Sequence, residues 1–402
     1  MNEFDISRRN LVKLSGLGLA AGGAVLSGRV NAQGLDAPPS IRVPSDKPVK
    51  GARTHSFDMT IEETKVTVAR GKEFKVWGYN GQVPGPLIRV RQGDTIEARV
   101  TNHTGASHTI HWHGIRQRGS WRMDGAPGIN GQDIAPMGGE STYRFVADRE
   151  GSLWYHCHVD VPNHVGVRGM WGPLIVDPIK PLPIEREVTK DAILMFSGWA
   201  SAAADDYFAI PDPTGHFDYY SINGKAFPFN QPIRVRYGDV LRLRLYAVSI
   251  PVAFHLHGHD MLVTHVDGLP LSDPYYSDTV KVDLGKRVDV IVRMDNPGRW
   301  PAHDHDEHHT SNAGVPPGGV FLIVEYDEVG RDDPWYVWRR KEFDPDFYFI
   351  ESMKKGRGLI PQSGFKGSGA QGDAANATPP TQKSAAQQGA TDDSPNTIGE
   401  HS

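Results

Sequence analysis

The chain has 402 residues, with 43 Lys or Arg against 48 Asp or Glu and a net charge of −5. A charge so near balance, with no basic cluster, excludes a protein that binds nucleic acid through bulk positive potential. A single cysteine, Cys157, excludes an internal disulfide framework, so its thiol is either an inert core group or chemically employed.

Taken in chain order, the first element is a leader. Ser7-Arg8-Arg9-Asn10-Leu11-Val12-Lys13 precedes an apolar Gly/Ala-rich run from Leu14 to Leu26, and Val30-Asn31-Ala32 offers a small-residue cleavage site. This order predicts a twin-arginine signal peptide over 1–32, a mature chain starting near Gln33, and a periplasmic or secreted location. Proteins exported this way fold, and often take up a cofactor, before crossing, which suits a metalloprotein. No later segment approaches the ~20 apolar residues of a membrane helix, so no span is expected.

The body of the chain is a duplication. Ile88–Asp94 (IRVRQGD) returns as Ile233–Asp239 (IRVRYGD), and His111-Trp112-His113-Gly114 returns as His255-Leu256-His257-Gly258. Further on, His156-Cys157-His158 is matched by His303-Asp304-His305, and Leu174-Ile175-Val176-Asp177 by Leu322-Ile323-Val324-Glu325. Four landmarks in one order, at a nearly constant offset of about 145 residues, mark a repeated domain. Within each copy, apolar residues alternate (Ile96, Ala98, Val100, then Leu241, Leu243, Leu245), which predicts half-buried strands. Short strands punctuated by 44 Gly and 30 Pro predict an all-β fold of two tandem Greek-key β-sandwiches, at 53–178 and 190–328. Pro178, Pro181 and Pro183 stiffen the short linker over 179–189. An aromatic extension over 329–355, with Trp335, Trp338 and Phe349, is expected to pack on a domain or a neighbouring subunit. The Gly/Ala/Ser/Gln-rich tail over 356–402 is expected to be disordered.

The chemistry lies in the histidines. Residues two apart on a strand share a face, so His-x-His presents two imidazoles side by side. One such pair is weak evidence; four in register between two repeats (His111/His113, His156/His158, His255/His257, His303/His305) point to metal. Around the lone thiol, His108, His164 and Met170 are spaced to converge on the sulfur, and two imidazoles, a thiolate and a thioether make a blue electron-transfer copper site. His259, His265, His308 and His309 lack partners in the repeat and suit supporting or solvent roles, although the run from His303 to His309 could bind an additional metal.

The motifs His108-Thr109-Ile110-His111-Trp112-His113-Gly114 and His156-Cys157-His158 through His164 and Met170 resemble those of multicopper oxidases. With the duplication, they are similar to the two-domain, laccase-like branch, whose blue copper lies in the N-terminal cupredoxin domain. The resemblance implies cupredoxin-like domains and about four coppers per chain, one type 1, one type 2 and two type 3. It assigns His108, Cys157, His164 and Met170 to the type-1 copper, and His111 and His255 to type 2. His113, His156, His158, His257, His303 and His305 fall to the type-3 pair. Asp124 and Asp160 correspond to the family's proton-relaying acids, although Asp124-Gly125 is also an ordinary turn pair. In the second repeat Val252 replaces His108 and Asp304 replaces Cys157, so no blue copper is expected there. The loop between Cys157 and His164 is longer than in many three-domain laccases, which touches the geometry of the blue site.

The implied activity couples one-electron oxidation of a donor, a phenol or an aromatic amine, to the four-electron reduction of O2 to water. The partners are O2, a small-molecule or metal-ion donor, and two further copies of the chain in a homotrimer with trinuclear sites at its interfaces. A copper nitrite reductase needs fewer catalytic histidines and no ligand directly after its cysteine, so His158 argues against it. A non-catalytic electron-transfer protein leaves eight matched histidines unexplained.

Overall fold

A computed structural model of the chain describes residues 49–209, 216–329 and 348. The expected leader, the 356–402 tail and all of the 335–349 aromatic stretch except Tyr348 lie outside the described residues. Tyr348 itself is fully buried and accepts a hydrogen bond from Ile193 N at 3.2 Å.

The alternating apolar pattern folds as strands that bury every second residue. Thr95–Asn102 buries Ile96, Ala98, Val100 and Asn102 and turns the residues between them outward. It is paired on one side with Thr54–Ala69, which is also paired with Lys72–Tyr79, and on the other with Gly139–Val146. A second four-stranded sheet follows the order Ile88–Arg91, Trp171–Asp177, Gly151–His156, His111–His113. Phe57, Met59 and Ile61 from the first sheet pack against Leu153, Leu174 and Val176 from the second, closing one sandwich.

From Lys190 the plan repeats with a six-stranded sheet, Tyr219–Ile222, Lys190–Trp199, Val240–Ala247, Arg287–Arg293, Met261–Val266, Leu269–Ser277. Its partner has five strands, Ile233–Val235, Phe321–Tyr326, Arg299–Asp304, Val252–Leu256, Thr279–Val282. Leu241, Leu243 and Leu245 face the second core, as their spacing predicts. The strand that carries them is nevertheless buried along its whole length, not on one face. Its other face bears Arg242 and Arg244, which the rest of the molecule covers: Arg242 pairs with Glu185 at 3.1 Å, and Arg244 grips Asp191 through two bonds of 2.7 and 2.8 Å.

That covered face belongs to a seam between the repeats. Trp154, Trp171 and Ile175 of the first repeat share a core with Ile193, Met195 and Tyr246 of the second. Beside it, Arg244 donates to Ser152 Oγ at 2.8 Å, and Ser152 donates to Asp289 at 2.6 Å, so a hydroxyl of the first repeat bridges a buried ion pair of the second. No helix among the described residues is long and apolar enough to cross a membrane.

Candidate metal centres

Strand pairing brings the predicted histidines together. His111 lies directly opposite His156, and His255 lies opposite His303 in the second repeat. Residues facing each other across antiparallel strands stand about 5 Å apart, close enough for two imidazoles to serve one metal. His111, His113 and His156 direct ligand atoms to within 4.8 Å of one another. His158 completes this group, its ring 5.4 Å from that of His111. In the second repeat the His255 ring lies 4.7 Å from His257 and 5.4 Å from His305, and His257 Nε2 faces His303 Nε2 at 3.0 Å.

A separate buried cluster forms around the thiol. Cys157 Sγ is 3.2 Å from His164 Nδ1 and 3.7 Å from His108 Nδ1, and the two nitrogens are 3.3 Å apart. Met170 is fully buried in the same core; its carbonyl accepts from Cys157 N and its N–H donates to the His164 carbonyl, each at 3.1 Å. His164 closes the short helix Val161–His164, which Asp160 begins in a left-handed conformation. Trp77 packs edge-on against both imidazoles, at 5.0 and 4.9 Å.

The protonation of these groups fits a metal. A carbonyl can only accept, so each imidazole nitrogen beside one carries a proton and leaves the other nitrogen's lone pair free. His111 Nδ1 donates to Asp124 O, His156 Nδ1 to Cys157 O, His255 Nδ1 to Asp278 O and His303 Nδ1 to Asp304 O, each at 2.8 Å. In all four the free atom is Nε2. His108 is set the other way round: its Nε2 lies 2.7 Å from Thr104 Oγ1, and its Nδ1 points at the sulfur. His113 Nδ1 faces His156 Nε2 at 3.4 Å, so the free nitrogen of His156 is turned into the group.

Burial keeps the imidazoles neutral. Desolvation, with a smaller contribution from neighbouring imidazoles and, for His156 and His113, from Arg287, holds His108 down to about 3, His156 to about 3 and His113 to about 2. His164 is held to about 4 by the same burial, which outweighs the attraction of Asp160. Burial pushes the Cys157 thiol up to about 12, so a thiolate there needs a cation at the sulfur. Neutral nitrogens with lone pairs converging on a buried thiol form the donor set that copper takes.

Two folding details hold the first group in place. Gly125 (φ +92) lets the Asp124 turn lie against the strand that carries His111; a side chain there would collide with the Ile110 carbonyl. The Asp124 carboxylate stands 3.5 Å from His111 Nδ1 and accepts from Asn130 at 3.1 Å, so this residue is both turn and neighbour of the metal group. Asp160, by contrast, is exposed and acts on His164, away from the His111 group.

Several supporting residues were not visible in the motifs. Trp154 stacks on His113 at 5.1 Å and packs at a tilt against His156 at 4.3 Å. Arg287, a buried cation from the second repeat, lies behind the first group and disfavours protonation of His113. Of the unmatched histidines, His259 donates to the His257 carbonyl at 3.0 Å and accepts from Tyr326 at 2.6 Å, and His265 lies 3.8 Å from Glu185 in the seam. His308 is exposed, while His309 turns to Asp304.

Models of the multicopper oxidase family match residues 60–181 and 202–315, together more than half of the chain. The chain belongs to the multicopper oxidase family. Membership implies copper as the metal of this protein. Among solved structures, a multicopper oxidase called mgLAC shares 55% identity at a TM-score of 0.74, covering 79% of this chain and 99% of its own. A blue copper oxidase from Nitrosomonas europaea shares 50% identity at a TM-score of 0.73, covering 78% and 99%. Among curated relatives, a copper resistance protein A homolog from Pseudomonas syringae pv. tomato is 30% identical over 71% of this chain and 54% of its own length. The chain spans about half the length of such curated relatives.

Proposed function

We propose that this protein is a laccase-like oxidase: it removes single electrons from a phenol or an aromatic amine and passes them to O2, which is reduced to water. The observation that carries the reading is the pair of histidine groups, His111/His113/His156/His158 and His255/His257/His303/His305, built on the same strand pairing in each repeat. A nitrite reductase or a simple electron carrier gives no reason for the second group. When bound, copper supplies the redox chemistry, accepting electrons singly at a thiolate site and delivering them together to O2 at a cluster.

The reading assigns about four coppers to each chain, one of type 1, one of type 2 and two of type 3. Type 1 takes His108, Cys157, His164 and Met170, type 2 takes His111 and His255, and type 3 takes His113, His156, His158, His257, His303 and His305. Cys157 is covalently joined to His156 and His158, so one stretch of backbone connects both kinds of centre. Trp154 covers His113 and His156 and keeps water from that side. Asp124, beside His111, is the acid placed to hold a proton at its carboxylate. The position of Asp160 favours orienting His164 over relaying protons.

Each chain carries two half-sites. Among the described residues, those of the second repeat near His113 are Gly285 and Arg287, not the second group of histidines. A half-site facing away from its complement calls for another copy. We therefore propose head-to-tail association closed into a homotrimer, in which the first repeat of one chain and the second repeat of the next share a cluster. Export by the twin-arginine route to the periplasm or beyond goes with this assignment. Domains at 53–178 and 190–328, joined through 179–189, are the units that pair.

Coexpression tests the shared site. One chain lacks His111 and His113, the other lacks His255 and His257, and mixed trimers are isolated by two tags. Oxygen uptake is followed with a phenol, an aromatic amine, Cu(I) and nitrite. Recovery of oxygen uptake in mixed trimers, with a phenol or an amine as donor, is expected. Reproducibly inactive mixed trimers would exclude the shared site, and turnover of nitrite without oxygen uptake would exclude the oxidase.

A further inference from the structure

Asp304 stands where the first repeat has its cysteine, and the oxidase reading gives it no role. Only 1% of it is exposed, and a carboxylate tolerates that burial only with partners. It has three. Oδ1 accepts from Ala253 N at 2.8 Å and Asp306 N at 3.1 Å, and Oδ2 accepts from His309 Nδ1 at 2.6 Å. In the first repeat, Thr109 and Val159 occupy the positions of Ala253 and Asp306, and their backbone N–H groups address Cys157. The cradle of N–H donors is thus common to both repeats, and only its occupant differs.

What faces the occupant differs as well. Around Cys157 the remaining neighbours are the imidazoles of His108 and His164, with nitrogens turned to the sulfur. Around Asp304 the first imidazole is gone, replaced by Val252, and a single N–H arrives from His309. That imidazole rests against the ring of Tyr220, 4.5 Å between centroids, on an edge strand of the other sheet. The backbone held by this carboxylate carries His303 and His305 on either side, and the Asp304 carbonyl accepts from His303 Nδ1 at 2.8 Å.

We propose that Asp304 and His309 form a metal-free clamp that replaces the blue copper in the second repeat and sets His303 and His305 for the cluster before copper binds. The proposal rests on the oxidase reading. Both are positioning residues: each carboxylate oxygen of Asp304 is taken by N–H donors, and His309 acts through the Nδ1 proton it gives to that carboxylate. The clamp does for this strand end what the metal–thiolate bond does for the other, with hydrogen bonds that exist in the copper-free protein.

The test uses the full chain with His309→Gln, Asp304→Ala and Asp304→Asn. Copper per chain is measured against free copper concentration, with the blue absorption band and the electron paramagnetic resonance signal of the non-blue copper recorded in parallel. Outer partners of metal ligands typically contribute 10–100-fold in affinity. The expected result is cluster copper bound about 10–100-fold more weakly in His309→Gln and Asp304→Ala, with an altered non-blue signal and unchanged blue copper. Asp304→Asn, which keeps an oxygen for the two backbone donors, should fall between them and the parent. If Asp304→Ala does not fold, His309→Gln carries the test, because it leaves the carboxylate and its backbone partners in place. Parent-like cluster affinity in His309→Gln would overturn the clamp, as would equal loss of blue and cluster copper. A parent protein that binds blue copper but no cluster copper would overturn the oxidase reading, and the clamp with it.

Discussion

Replacing Thr104 with Val probes how one ligand's protonation is set. Thr104 is fully buried, and its hydroxyl lies 2.7 Å from His108 Nε2 and 2.9 Å from Asn102 Oδ1. With the hydroxyl proton given to Asn102, the oxygen accepts the His108 N–H and leaves Nδ1 free toward Cys157. Valine keeps the shape and removes the acceptor, so a fully buried N–H loses its partner. An unsatisfied buried donor costs about 1–3 kcal/mol. A lost outer partner of a metal-binding histidine weakens metal by about 10–100-fold, or about 1.4–2.8 kcal/mol at 1.4 per tenfold, and the two figures agree. The assay is titration of copper-free protein while following the blue band, with Thr104→Ser as a control that restores the hydroxyl. Thr104→Val should need about 10–100-fold more free copper to reach half of the blue signal, and Thr104→Ser should match the parent. Equal midpoints for Thr104→Val and the parent would show that the hydroxyl does not set the tautomer.

Cys157→Ser should abolish the blue band and lower copper from about four to about three per chain, measured by elemental analysis; a surviving intense band refutes the type-1 assignment. Asp124→Asn should slow oxygen consumption by about 10²-fold or more, with little change in the rate at which a donor reduces the blue copper in stopped flow. Equal oxygen-dependent rates would return Asp124 to its turn role alone. Acid should destabilise the copper-free protein: His108, His113, His156 and His164 are held, chiefly by burial, at about 3, 2, 3 and 4 against an ordinary 6.5. Between those values the unfolded chain binds more protons, so the stability present above pH 6.5 is lost as pH falls below it, by up to about 1.4 kcal/mol per pH unit for each histidine. Urea midpoints at pH 7.5 and 5.5 test this, and a pH-independent midpoint would refute it.

The histidine pairs were legible because period two and duplication are both local patterns: His111 and His113 share a face wherever the strand lies. Which pair lies opposite which came only with the strand pairing, which sets His111 against His156 and His255 against His303. What sequence could not supply was the third dimension of the support. Trp154 reads as a core residue until pairing sets it opposite His113, and Arg287 lies far along the chain from the histidine it influences. Arg242 and Arg244 alternate with leucines as a solvated face would, yet the first repeat and Glu185 cover them, which no pattern within one strand reports. Asp304 was visible as the absence of a cysteine, whereas its bond to His309 depends on a turn that brings residues back onto the strand end.

The main-chain acceptors of the imidazoles have a consequence for how such a chain can diverge. His156 and His303 each donate to the carbonyl of the next residue, which is Cys in one repeat and Asp in the other. A carbonyl oxygen survives every substitution at its own position. This one bond to each ligand is therefore written in backbone and is kept whichever side chain stands beside it, while the side chain's own partners hold the strand end. A repeat that exchanges the thiol for a carboxylate at that point keeps the carbonyl bond to the preceding imidazole and has to supply only new partners for the side chain, as Asp304 has in His309.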